Sequence, residues 1–210
     1  MRILFILNGE FVEELNDDFL KKYNKIVCVD GGLNNFEKIK TNIIPDYIIG
    51  DFDSVDVNVF KKYKNKSKII KKDNQDESDL VFALKNVVSD IKNIDNIDIC
   101  CATGGRIDHT LCSILTLKQI DTKIKSRIIG NDSIVYLLIN NKIEINVKVG
   151  QTISLIPLTD IININTTGLK WELGGVNLQF GFVNGISNVA LSENIFVSIE
   201  KGECLIIVNK

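Results

Sequence analysis

The sequence predicts an α/β N-terminal domain, with a mostly parallel sheet covered by helices on both faces, followed by an all-β C-terminal sandwich. Three observations carry this prediction. Short apolar runs alternate with helix-period segments through the first part of the chain. That periodicity ends near Asn131-Asp132. Turn dipeptides then punctuate short strands to the end of the chain. Strands alternating with helices need crossover connections, which cover a parallel sheet on both sides. Short strands between turns close into a small sandwich or barrel instead. The expected domains are residues 1–133 and 134–210.

Arg2 to Leu7 predicts a first strand, and Val12 to Lys22 carries helix spacing. Lys25-Ile26-Val27-Cys28-Val29 predicts a second strand ended by Asp30-Gly31-Gly32, with a short helix from Leu33 to Lys40. Asp46-Tyr47-Ile48-Ile49 predicts a third, stopped by Gly50-Asp51-Phe52-Asp53-Ser54, and Lys68 to Lys71 a fourth. Leu80, Ala83, Leu84, Val87 and Val88 recur at helical spacing behind Ser78, a residue type that caps helices. Ile97 to Ala102 is another strand, ended by Thr103-Gly104-Gly105, and the following helix carries Leu111, Ile114 and Leu115. Beyond the change of pattern, Lys142 to Val149 alternates polar and apolar residues. Asn140-Asn141, Val149-Gly150, Gly174-Gly175, Asn184-Gly185 and Lys201-Gly202 mark turns. Pro45 and Pro157 belong at strand edges.

Composition narrows the function classes. The 210 residues include 25 basic and 27 acidic ones, a net charge of −2. Such a balance gives no general attraction to nucleic acid or to an anionic membrane. No apolar run approaches the ~20 residues of a membrane span. The first apolar run is too short for a secretory signal and lacks a small-residue cleavage site, so a cytoplasmic protein is expected. A chain of this size buries about 70% of its surface without needing disulfides. Its five cysteines, Cys28, Cys100, Cys101, Cys112 and Cys204, form no Cys-x-x-Cys pair and are expected to fill the core. His109 is the only histidine, which leaves no zinc-ligand spacing.

In an open parallel sheet, ligands bind beyond the carboxyl ends of the strands. The unusual residues fall there: Asp30-Gly31-Gly32, Asp51-Phe52-Asp53, and Gly104-Gly105-Arg106-Ile107-Asp108-His109, with Asp76 and Asp79 just before a helix. Taken singly, each has a bland use. Gly-Gly pairs make turns, Asp79 suits a first helical turn, and Asp108 can cap a helix. The Asp51/Asp53 pair is more telling. In an extended segment, i and i+2 project to one side about 6–7 Å apart. Carboxylates held together repel unless a hard dication such as Mg²⁺ sits between them, and Mg²⁺ on carboxylates points to phosphate substrates. Gly-Gly turns permit close approach of backbone N–H groups to phosphate oxygens, and Arg106 can grip a phosphate with two donors. Neither a P-loop nor a dinucleotide fingerprint is present. The residues alone therefore give a Mg²⁺-dependent phosphoryl-type enzyme without naming its substrate.

At these residues the chain resembles the thiamine pyrophosphokinase (thiamine diphosphokinase) family. The resemblance runs in order through Asp30-Gly31-Gly32-Leu33-Asn34, Pro45-Asp46, Gly50-Asp51-Phe52-Asp53-Ser54, Asp76-Glu77-Ser78-Asp79-Leu80 and Gly104-Gly105-Arg106-Ile107-Asp108-His109. It continues through Thr166-Thr167-Gly168-Leu169-Lys170-Trp171 and Ile186-Ser187-Asn188. Ser78 departs from the family's usual threonine and keeps the hydroxyl. The resemblance implies transfer of the pyrophosphoryl group of ATP to the hydroxyl of thiamine, giving thiamine diphosphate and AMP. It implies Mg²⁺ on Asp51, Asp53 and Asp79, with Asp76 a further candidate for that cluster. ATP would lie along Asp30, Asn34, Arg106 and Asp108, with Gly31, Gly32, Gly104 and Gly105 allowing close approach. It also implies a homodimer whose subunits complete each other's sites, an ATP-binding N-terminal domain and a thiamine-binding C-terminal one. Trp171 would stack on a ring of the cationic substrate, or else be a sandwich-core tryptophan. Ser187 and Asn188 would hydrogen-bond the aminopyrimidine, or else form a β-turn. His109 reads as a base or, more simply, as a polar residue at a helix start. The rival readings are an aspartyl phosphatase using one Asp as nucleophile, a pyrophosphokinase acting on a pterin alcohol, and a nucleotide- or thiamine-binding module without turnover.

Overall fold

A computed structural model describes residues 1–181 and 185–210. The chain divides into two units, Met1–Asn131 and Asp132–Lys210. The division falls just ahead of the 133/134 boundary read from the sequence.

The first unit alternates strands and helices: β1 (Arg2–Ile6), α1 (Asp17–Leu20), β2 (Lys25–Val29), α2 (Gly32–Lys38), β3 (Tyr47–Gly50), α3 (Val57–Tyr63), β4 (Lys68–Lys71), α4 (Asp79–Asp90), β5 (Asn96–Cys100), α5 (Ile107–Thr116) and β6 (Lys125–Ile129). Its strands lie in the order β6-β5-β1-β2-β3-β4, every neighbouring pair parallel. Ile3, Leu4, Phe5 and Ile6 are all fully buried, so both faces of β1 are covered. That is why the central strands read as unbroken apolar runs rather than as alternation. Leu4, Ile6, Ile26, Cys28 and Ile48 form one core with Leu20, Leu33, Phe36 and Tyr63 of the first three helices. Ser78 caps α4, its Oγ accepting from the Val81 N–H at 3.3 Å.

Several elements differ from expectation. The first helix is one turn rather than Val12 to Lys22. Asn16 is extended (φ −143°) and caps α1 by accepting from the Phe19 N–H, while Val12 and Leu15 are buried by a turn before it. The apolar spacing there serves burial, not helix. Helix α3 and strand β6 carry weak apolar periods and were not foreseen; α3 buries only Tyr63 and is fixed at its start by Asp56, which accepts from the Asn58 and Val59 N–H groups. Cys28, Cys100, Cys101 and Cys204 are buried and outside any disulfide, as core filling requires, but Cys112 is exposed on α5. The same helix leaves Leu111 and Leu115 exposed.

The second unit is an antiparallel sandwich. Its strands are β7 (Ser133–Ile139), β8 (Lys142–Asn146), β9 (Thr152–Pro157), β10 (Ile161–Thr167), β11 (Gly174–Leu178), β12 (Gly185–Val189), β13 (Asn194–Lys201) and β14 (Glu203–Asn209). One layer runs β12-β9-β14-β7 and the other β11-β10-β13-β8. Ile153, Ile164, Ile195, Val197, Cys204 and Ile206 fill the core between them. Gly174-Gly175, expected as a turn, opens β11; of the Asn184-Gly185 pair, Gly185 opens β12 and Asn184 lies outside the described residues. Among the described residues, no helix is long and apolar enough to cross a membrane.

Candidate active site

Parallel pairing carries the carboxyl ends of β1, β2, β3 and β5 to one edge: Ile6 sits beside both Cys28 and Cys100, and Val29 beside Ile49. The loops leaving that edge surround a cleft of about 1200 Å³. Asn8, Glu10, Asp30, Lys72, Asp79 and Arg106 are among its lining residues.

Asp30, Asp51 and Asp53 converge, each offering a carboxylate oxygen within 4.8 Å of the others. They converge by a route the sequence did not suggest. β3 ends at Gly50, and Phe52 adopts a left-handed conformation (φ +67°), so the two acids are gathered by a kink and not by an extended i, i+2 pair. Phe52 is anchored in that conformation against Phe60, with ring centroids 5.1 Å apart. Asp51 accepts from Gln75 Nε2 at 2.9 Å and from the Asp53 N–H at 3.3 Å, which hold its carboxyl below the usual range. Asp30, itself left-handed (φ +46°), is pushed up by burial and further by the Asp79 and Asp51 charges, against hydrogen bonds from Gly31 and Ser54. Its Oδ1 is buried without any hydrogen-bond donor. An all-oxygen set with an orphaned buried lone pair fits a hard dication.

Asp79 stands apart from that trio. Its Oδ1 lies 3.2 Å from the Nζ of Lys72, a lysine whose side chain is 2% exposed. Lys72 follows β4 and is pinned by its N–H to the Gly50 carbonyl at 2.9 Å, so a cation is built into the acidic wall of the cleft. Asp76 is exposed, next to the cleft-lining Gln75 and Glu77.

Arg106 precedes α5 and grips Asp108 with two donors, Nε to Oδ1 at 3.1 Å and Nη2 to Oδ2 at 2.5 Å. The guanidinium holds the Asp108 carboxyl down to about 2. Two of the five guanidinium N–H groups are engaged in this way, and the remaining three are free to meet an anion. His109 also lines the cleft, in the first turn of α5.

The glycines divide by role. A Cβ on Gly32 would fall 1.9 Å from the Ile6 carbonyl oxygen, and one on Gly31 would fall 2.3 Å from the Asn8 amide. Gly32 lets α2 pack onto the end of β1, and Gly31 lies against the side chain of Asn8, a residue that lines the cleft. Gly104 and Gly105 line the cleft, and a Cβ on Gly105 would meet nothing within 4 Å. Asn34 faces the acidic loop, donating to the Ser54 carbonyl at 2.8 Å and accepting from the Asp56 N–H at 2.9 Å. It braces that loop.

In the second unit, Trp171 is 57% exposed, which removes the core-tryptophan alternative. Ser187 is exposed in a left-handed conformation (φ +59°), while Asn188 is buried. Reading the sequence missed Lys72, Gln75 and Glu10. Lys72 and Gln75 lie in a Lys- and Asp-rich run that resembles a solvated surface, and Glu10 follows a Gly with no helix or strand around it. Their one available signal was position, just beyond a strand on the ligand-binding edge.

Residues 17–129 match the family model described as thiamin pyrophosphokinase, catalytic domain, and residues 140–204 match thiamin pyrophosphokinase, vitamin B1 binding domain. Thiamine pyrophosphokinase 3 of Oryza sativa subsp. japonica is 30% identical over 207 residues, covering 86% of this chain and 76% of its own length. Thiamine pyrophosphokinase of Bacillus subtilis (strain 168) is 29% identical over 174 residues, 80% of each chain. Among solved structures, thiamine pyrophosphokinase from Bacillus subtilis superposes with a TM-score of 0.85 at 26% identity, covering 100% of this chain and 99% of that one. Thiamin pyrophosphokinase from Candida albicans gives 0.85 at 26%, covering 99% and 89%.

Proposed function

The chain belongs to the thiamine pyrophosphokinase family, and from that premise we propose how its own residues carry the reaction. It is an enzyme that diphosphorylates thiamine. The phosphatase, pterin-alcohol and binding-only readings gain nothing from the matches.

ATP is the donor. The thiamine hydroxyl oxygen forms a bond to the β-phosphorus, the bridging bond to the α-phosphate breaks, and AMP leaves with the electron pair while the hydroxyl gives up its proton. Such transfers depend mainly on alignment and charge neutralisation. The observation that carries this reading is the convergence of Asp30, Asp51 and Asp53, of which Asp30 lines the cleft and has one buried oxygen without a donor. Those three would hold Mg²⁺, which supplies neutralisation of the phosphate charge when bound. Asp79, implied as a metal ligand by the resemblance, gives its Oδ1 to Lys72 and keeps Oδ2 for a metal. Arg106 and Lys72 supply fixed positive charge for the phosphates, and Asp108 orients Arg106. Gly104 and Gly105 leave room for the triphosphate. Gly31, Gly32 and Asn34 shape the site from behind. Trp171 and Ser187 receive thiamine.

The enzyme works as a homodimer, each subunit completing the other's site, in the cytoplasm. The free thiols suit a reducing compartment. Helix α5 supports the dimer: Ile107, Leu111 and Leu115 recur every fourth residue and are 71%, 53% and 54% exposed, an apolar face suited to a second copy. The test is incubation with thiamine, ATP and Mg²⁺. AMP and thiamine diphosphate forming together, and only with thiamine present, is the expected result. ADP, or phosphate released from monoesters, would overturn the reading.

A further inference from the structure

Asn188 is implied by the family resemblance to contact thiamine, but its hydrogen bonds point to a different task. Leu169 pairs antiparallel with Ala190, and the Lys170 N–H bonds the Val189 carbonyl at 2.8 Å. One step further along, this short ladder has no backbone partner to offer. Ser187 is left-handed, and the register of β12 slips between Gly185 and Asn188. The Asn188 side chain replaces the missing peptide group. Its Oδ1 accepts from the Trp171 N–H at 3.1 Å, and its Nδ2 donates to the Trp171 carbonyl at 2.7 Å. Oδ1 also accepts from the Val189 N–H at 2.8 Å. An asparagine amide has two acceptor lone pairs and two N–H donors; both lone pairs and one donor are engaged. The residue is 7% exposed, whereas Trp171 beside it is 57% exposed.

We propose that Asn188 is a positioning residue: its amide clamps the Trp171 peptide from both sides, so that the indole is already set for thiamine before thiamine arrives, and Asn188 itself does not touch the substrate. A contact residue fixed in advance loses less freedom on binding, and the binding is tighter for it. The Lys170 ammonium lies 4.6 Å from the indole centroid.

This inference rests on the reading of Trp171 as a thiamine contact, and the experiment separates the two. Trp171 is the only tryptophan in the chain, so its fluorescence reports this position alone. Asn188→Ala removes the clamp. Asn188→Asp keeps size and acceptor while setting a carboxylate against the Trp171 carbonyl, and it serves if the alanine variant does not fold. In the ligand-free protein either variant is expected to lower the Trp171 anisotropy. Each should raise KM for thiamine on the order of tenfold with KM for ATP unchanged, and add little to Trp171→Ala in the double variant, because both act through one ring. Unchanged anisotropy, or effects that multiply in the double variant, would overturn the clamp and give Asn188 its own contact. Trp171→Ala with an unchanged KM for thiamine would overturn the subsite reading instead, whatever the anisotropy shows.

Discussion

Three carboxylates within 4.8 Å of one another repel in the absence of a counter-ion, and one of them is partly desolvated. Asp30→Asn removes a third of that charge while keeping the side chain's shape. Melting of the metal-free variant is therefore expected a few degrees above wild type, at about 2–4 °C per kcal/mol for a chain of this size. Turnover should fall on the order of 10²–10³-fold, the loss typical of removing one transition-state stabiliser. A lower melting temperature would mean that Asp30 is a structural residue. Lys72 behaves in the opposite sense. Its ammonium is buried and paired, so Lys72→Met leaves Asp79 with a charge and no partner. A loss of about 1–3 kcal/mol in denaturant titration is expected, together with reduced turnover. An unchanged midpoint would show that water compensates Asp79 fully.

Whole elements are tied by charge as well as by packing. Lys62 and Tyr63 of α3 both donate to Glu37 of α2, at 2.8 Å and 2.6 Å. Burial pushes the Glu37 carboxyl up, but these two hydrogen bonds outweigh it and hold the carboxyl below its usual range. A lowered carboxylate contributes stability above the unfolded value, about 4.3 for Glu, and loses it as pH falls through the folded value. The melting temperature of Glu37→Gln should therefore lag wild type at pH 7, by the equivalent of about 0.5–1 kcal/mol for a partly screened pair, and converge with it in acid. A gap independent of pH would place the effect in shape and not in charge. The sequence made the central strands legible, because burial on both faces leaves an apolar signature in β1, β2 and β3, and in β5 one interrupted only by the buried, ion-paired Asp98. It did not make α3 or β6 legible, since each hides few apolar residues and is set by tertiary contact. The acids Asp51 and Asp53 were legible as a pair, but their geometry was not. A left-handed phenylalanine leaves no mark in a pattern of residue types, and neither does the partnership of Asn188 with a peptide seventeen positions away.

The whole molecule should respond to its ligands by mass action. Anything that binds only the folded chain stabilises it, by about 2.7 kcal/mol at a hundredfold excess over Kd. Mg²⁺ with ATP is expected to raise the melting temperature, and chelation to remove both that gain and turnover. A nucleotide-induced rise that survives chelation would separate ATP binding from the metal. The kinked loop at Phe52 bears on how fast such a response occurs. Its backbone is bent at the left-handed Phe52, between Asp51 and Asp53, and Phe60 packs against the Phe52 ring. Gathering the three acids is thus completed during folding, at a strain of roughly 1–3 kcal/mol in the left-handed residue. On the proposed assignment of Mg²⁺ to Asp30, Asp51 and Asp53, the bend that gathers these acids is present before any cation binds, so the loop need not be folded anew to receive one.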